Sequence, residues 1–195
     1  MVIDSSNNSI DSTSNFAISS FSNILYNVLK NKYNSSYTDL VIVCIGTDRS
    51  TGDCLGPLVG YLLSKKTLYN DNINVVGTLD NPVHAKNLIK NIKSIKSEYI
   101  NPFIIAIDAS LGKIERVGYV SVWDGPLMPG AGVNKKLPKI GDIHITGVVN
   151  VSGFMEYMVL QNTRLNIVMN MANVISSSLF YSINKLIKPT VKTVQ

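Results

Sequence analysis

The chain has 195 residues, 45% hydrophobic and 16% charged, which suits one domain with a sizeable core and falls short of two. Its 18 basic and 13 acidic residues give a net charge of +5, with lysines scattered along the chain (Lys65, Lys66, Lys90, Lys93, Lys96, Lys135, Lys136, Lys188, Lys192) and not interleaved with aromatics, so nucleic-acid binding is not expected, although a diffuse positive field favours acidic partners. No apolar stretch reaches 18 residues and the start lacks a basic-then-apolar leader, so neither a membrane span nor a secretory signal is expected.

Residues 1–18 are rich in Ser and Asn and read as a disordered N-terminal arm, leaving a single domain over 19–188. Phe21, Ile24, Leu25, Val28 and Leu29 then follow helical spacing. Residues 40–45 form a continuous β-branched run, the pattern of a strand buried on both faces. Cys44 lies in that run and Cys54 after Gly-Asp; without C-x-x-C spacing, both read as buried thiols in a reducing, cytoplasmic compartment. A glycine-rich loop over 46–52 leads to a helix through Leu55, Leu58, Val59, Leu62 and Leu63. A strand at 73–78 precedes a helix over 83–95, with Pro82 suited to its first turn. Residues 103–107 make the next buried strand, ending at Asp108, and 117–123 another. The Gly/Pro-rich residues 125–141 read as an irregular loop. Beyond it the pattern predicts a strand at 144–149, a helix at 152–161, a strand at 165–169 and a helix at 173–187, with a frayed tail from Pro189.

Strands alternating with helices imply a three-layer αβα fold with a mainly parallel sheet. Ligands in such folds sit beyond the carboxyl ends of the strands, where Asp48, Asp53, Asp80 and Asp108 all fall. Each has a structural explanation. Asp53 suits a helix first turn, Asp48 can brace its loop, and Asp108 can cap the turn after its strand. Two carboxylates converging at neighbouring strand ends would instead split their pKa values, as general acid/base chemistry requires.

The two histidines, His84 and His144, are each more simply structural than functional. Asp53, Asp80 and His144 together make an O/O/N set that Zn, Ni or Mn would accept, and spacing does not choose among them. There is no P-loop, no dinucleotide fingerprint and no G-x-S-x-G, and a Cys54 nucleophile has little support. No cofactor is required by these patterns; a divalent metal, Ni or Zn, is the one candidate.

Four blocks carry a family resemblance: IGTDRSTGDCLGP (45–57), GTLDNPVHAKNL (77–88), AIDASLG (106–112) and PGAGVNKKLPKIGDIHITGVVN (129–150). In this order they resemble the YyaC-type sporulation proteins, a family often labelled a spore protease and related to the germination protease of endospore-forming bacteria. That protease looks like an atypical acidic-residue protease of small acid-soluble spore proteins. Its key aspartates fall on Asp53 within Thr51-Gly-Asp-Cys-Leu-Gly-Pro57 and on Asp108 within Ala106-Ile-Asp-Ala109, and its Pro-Gly-x-Gly-Val block is similar to Pro129–Val133. Hydrogenase maturation endopeptidases use the same fold and sense nickel through two acids and a histidine, which Asp53, Asp80 and His144 resemble by position. Gly46-Thr47 departs from the Gly-Asn of both relatives, and the N-terminal arm, with only Asp4 and Asp11, does not resemble the acidic propeptide.

The resemblance implies a sporulation-associated peptidase in the forespore or mother cell. Asp53 and Asp108 would be catalytic, and Asp48, Asp80, His84 and His144 auxiliary. The partner would be a protein or peptide substrate such as a spore protein, with an oligomer open. The alternatives are a metal-dependent or metal-sensing maturation-type endopeptidase and a non-catalytic spore-assembly or peptide-binding protein.

Overall fold

The computed structural model describes residues 8–66, 68, 72–129 and 137–187. Ser9–Asp11 forms a short strand, β1, where a disordered arm was expected. It pairs antiparallel with a later strand through Ser9–Ser121, Ile10–Val120 and Asp11–Tyr119. Asn8 and Ser12 at its ends are buried, and Ile10 packs against the core. The arm is therefore corrected over residues 8–18, because partner-strand hydrogen bonds order a segment whose own composition carries no periodicity; residues 1–7 lie outside the described ones. Helix α1 (Ala17–Lys32) begins ahead of the predicted Phe21 and buries Ala17, Phe21, Leu25, Val28 and Leu29.

Strand β2 (Asp39–Cys44) is buried from Leu40 onward, as its β-branched run predicts. A 3-10 turn at Gly52–Cys54 feeds α2 (Leu55–Ser64), and β3 (Ile73–Val76) follows. The helix predicted over 83–95 is α3 (Leu88–Glu98), so Pro82 lies in the preceding crossover and not in its first turn. Asn87 holds that crossover, accepting from the His84 N–H and donating to the Pro82 carbonyl, while Val83 bridges Ile45. These local bonds displace the first helical turn.

Strand β4 (Pro102–Gly112) runs well past Asp108, and β5 (Tyr119–Asp124) and β6 (Ile143–Val151) complete the sheet. A short α4 (Glu156–Gln161) precedes α5 (Leu165–Ile187). The strand predicted at 165–169 is the start of α5. Val168, Met171, Ala172, Ile175, Leu179 and Ile183 bury one helical face, and that tertiary burial overrides the local β-branched content. Within the loop predicted over 125–141, Leu127 and Ile140 pair as an isolated bridge; 130–136 and the tail from 188 lie outside the described residues.

The strand order is β1-β5-β6-β4-β2-β3. Strands β6, β4, β2 and β3 are joined by parallel pairings, and β5 runs antiparallel to both its neighbours. Leu40, Ile42, Phe103, Ile105, Ile143 and Ile145 pack with the apolar faces of α1, α2 and α5. Val41, Val43 and Ala106 pack on the opposite face with Leu88 and Ile95 of α3. This is a three-layer α/β architecture with a mainly parallel sheet.

Two glycines bring α2 against the end of β2. A side chain on Gly56 would place its Cβ 2.1 Å from the Ile45 carbonyl oxygen. One on Gly46, at φ +143°, would lie 2.0 Å from the Asp53 carbonyl oxygen. That same Asp53 carbonyl accepts the Thr47 N–H at 3.0 Å, closing the loop back on the helix start. Gly56→Ala is therefore expected to destabilise the fold by about 1–3 kcal/mol through backbone displacement. Urea unfolding measures this, and an unchanged midpoint would contradict the close approach.

Candidate functional site

The register places Asp108 just beyond the end of β2. Cys44 pairs with Ile107, and the Ile45 N–H still reaches the Ile107 carbonyl at 2.7 Å. The β2 chain then turns away at Gly46, whose N–H bonds the Val83 carbonyl. On its other side β4 continues along β6, with Asp108 opposite Thr146. Asp108 is thus not the last residue of its strand, as the sequence suggests. It sits mid-strand at the level where one neighbour has ended, and the turn bearing Asp53 occupies that level.

Asp108 is only 8% exposed. Burial holds its carboxyl well above the usual carboxylate range, the Asp53 charge raises it further, and the Ala109 N–H on Oδ1 at 2.9 Å offsets part of this. Asp53 is half-buried, and burial raises its carboxyl from 3.8 to about 6. The influence is one-sided for a physical reason: Asp108 keeps its proton while Asp53 ionises, so only Asp108 titrates against a neighbouring charge. Asp53 therefore ionises first, and Asp108 keeps its proton to higher pH beside the Asp53 carboxylate.

The other predicted site residues scatter around this pair. Asp48 is exposed in the loop before Asp53, and its charge reaches Cys54. Burial first, then Asp48 and Asp53, push the Cys54 thiol up to about 11, which keeps it protonated and unsuited to nucleophilic attack. Asp80 is exposed at the turn closed by Thr78 and Asn81. His84 lies in the crossover to α3. His144 pairs in register with Ala106, two positions short of Asp108's partner, and its Nδ1 lies 2.9 Å from the Gly125 carbonyl oxygen. That contact anchors the loop after β5.

Among the described residues no three His, Cys, Asp or Glu side chains stand close enough together to hold a metal ion. The set Asp53, Asp80 and His144 is not gathered, so these residues do not fit a metal in this arrangement. Cross-strand register separates His144 from the acid pair, which linear spacing could not reveal.

Sequence reasoning missed two neighbours. Thr146 faces Asp108 across the β4–β6 ladder and accepts a hydrogen bond from the Trp123 indole at 3.3 Å. Helix α4 and its flanks also border the Asp53 turn, with Leu160 of α4 and Thr163 just after it crowding Gly52. Phe154, Met155, Tyr157 and Met158 are exposed there, and Met155 has φ +59°, a left-handed backbone rare for a long side chain. An apolar cluster after Gly153 was the available signal.

The family described as "Protein of unknown function (DUF1256)" matches residues 9–178, and the chain belongs to it. A relative in Bacillus subtilis (strain 168), described as "Uncharacterized protein YyaC", is 60% identical over 140 residues, covering 72% of this chain and 67% of its own. Among solved structures, the [NiFe] hydrogenase maturation protease HycI from Thermococcus kodakarensis KOD1 is similar with a TM-score of 0.46 and 16% identity, over 83% of this chain and 99% of its own. The hydrogenase maturating endopeptidase HybD from E. coli is similar with a TM-score of 0.40 and 12% identity, over 73% of this chain and 92% of its own.

The raised carboxyls have a signed consequence for folding. Below about pH 4 folded and unfolded chains both hold the Asp53 proton, and its burial carries little penalty. As pH rises from 3.8 through about 6 the unfolded chain releases its proton first, so stability falls; Asp108 acts in the same direction from the same starting point and continues to higher pH. Asp53→Asn removes that loss and should gain on the order of 2–3 kcal/mol relative to the unaltered chain between pH 4 and 7. Denaturant unfolding of both proteins across that range measures it, and a constant difference would contradict the buried pair.

Proposed function

We propose that this chain is a sporulation-associated peptidase in which Asp53 and Asp108 act as a general base and a general acid. The observation that carries this reading is the asymmetric pair: Asp108, buried and held well above the usual carboxylate range, within electrostatic reach of Asp53, which ionises first. Groups whose environments push their pKa values apart are matched to acid/base hydrolysis. The peptide substrate, the spore setting in the forespore or mother cell, and a spore protein as the target come from the sequence resemblance described above.

The steps balance without a further reactant. Asp53 accepts a proton from a water molecule whose oxygen attacks the scissile carbonyl carbon. Asp108 donates its proton to the carbonyl oxygen, giving a tetrahedral diol and leaving the proton inventory of the pair exchanged. Collapse passes the proton on Asp53 to the departing amine and returns one hydroxyl proton to Asp108 as the C–N bond breaks. The low-polarity surroundings of Asp108 favour its neutral form before attack and after collapse. Gly46 and Gly56 permit the close approach in which the Asp53 carbonyl accepts the Thr47 N–H, which fixes the backbone that bears the carboxylate.

Cleavage of spore-protein or mixed peptide substrates tests this reading. Asp53→Asn and Asp108→Asn are each expected to lower kcat/KM by about 10²–10⁴-fold. In the unaltered enzyme kcat/KM should rise with pH through about 6 as Asp53 ionises, and fall again as Asp108 loses its proton. Cleavage that survives both substitutions at full rate would overturn the mechanism, and absence of cleavage in every substrate would overturn the class.

A further inference from the structure

The lysines that look scattered in the sequence are partly gathered by α3. Lys86, just before α3, and Ile89, Lys90, Lys93, Ser94 and Ser97 on it share one open face of that helix. The three lysines are exposed, and Ile89 between them is 54% exposed. The one salt bridge among the described residues joins Lys32 and Asp124, so none of these lysines has a carboxylate partner there.

Helix stability does not explain the arrangement. Lys90 and Lys93 are three apart on α3, where like charges repel and a Glu–Lys pair would stabilise. Lys90 lies in the first turn of α3, which carries no acidic residue, and a positive charge there opposes the helix dipole. An ordinary solvated face intersperses acids with lysines; this one does not. Its apolar member, Ile89, adds a contact that a purely solvating face has no use for.

The stripe is also joined to the acid pair. Val83, three residues before Lys86, accepts the Gly46 N–H and bridges Ile45. The stripe thus starts at the carboxyl edge of the sheet, beside the loop that carries Asp53. From Ile89 to Ser97 it runs for about 12 Å, the span of three or four residues of extended chain.

We propose that this stripe docks an acidic segment of the polypeptide substrate, with carboxylates on Lys86, Lys90 and Lys93 and an apolar side chain on Ile89, and so feeds the adjoining chain toward Asp53 and Asp108. The inference rests on the peptidase reading for the identity of the ligand, but its test is a binding measurement that does not need cleavage. Charge complementarity of this kind acts mainly on encounter and selectivity.

Fluorescence anisotropy of a labelled Glu-rich peptide, with Ile or Leu among its acids, reads the interaction with the full chain and with Asp53→Asn in parallel. Both are expected to bind it alike, with affinity falling as salt rises. Lys86→Glu, Lys90→Glu and Lys93→Glu combined should weaken binding by roughly tenfold or more, while Lys65→Glu with Lys66→Glu just after α2 should not. The milder combination of the three lysines changed to Gln serves if the charge-reversed chain fails to fold, and circular dichroism checks each. Unchanged affinity in the altered α3, equal binding of the Gln counterpart of the peptide, or tighter binding of a single-stranded oligonucleotide would overturn the proposal. Loss of peptidase activity alone leaves the binding result standing.

Discussion

The structure depends on how closely the start of α2 can approach the end of β2. Gly46 and Gly56 allow backbone to lie against backbone there, at distances no Cβ would tolerate. That contact fixes the 3-10 turn at Gly52–Cys54 over the sheet edge, at the level where β2 has stopped and β4 has not. Asp53 and Asp108 meet because of it. A looser packing would leave Asp53 an ordinary first-turn carboxylate in water and Asp108 an acid with no nearby charge.

The same contact sets their chemistry. Removing two carboxyls from water is unfavourable when both are charged, and the fold meets that constraint by leaving a proton on the more buried one. The site therefore opposes stability as pH rises past the usual carboxylate range. A chain selected only to fold would place an apolar residue at position 108, continuing the buried run from Ile105 to Ile107. An acid in that place fits a role in reaction or recognition.

Much of the architecture is legible in the residues. The run from Leu40 to Ile45 carries its own burial on both faces, and α2 its apolar spacing, so the mainly parallel three-layer arrangement follows from alternation of the two patterns. What was not legible depends on partners distant in sequence. β1 has three residues and acquires its order from β5. The first turn of α5 looks like a strand until the face running from Val168 to Ile183 is seen to be continuous. β4 passes Asp108 because β6 keeps pairing with it through Gly112. For the site, motif positions identified Asp53 and Asp108, which the fold does bring within electrostatic reach. They also grouped His144 and Asp80 with Asp53, which the register does not support, since Thr146 faces Asp108. The lysines of α3 read as unremarkable because their common face exists only once the helix boundaries are known.

The central claim is that Asp53 and Asp108 form one buried, coupled pair in which Asp53 ionises first and Asp108 holds its proton longer. Carbon-13 NMR titration of the two side-chain carboxyls tests it most directly, with assignments from Asp53→Asn and Asp108→Asn. The account predicts a midpoint of about 6 for Asp53, a higher one for Asp108, and a fall in the Asp108 midpoint when position 53 is neutral. Two independent titrations in the ordinary carboxylate range, near 4, would contradict it.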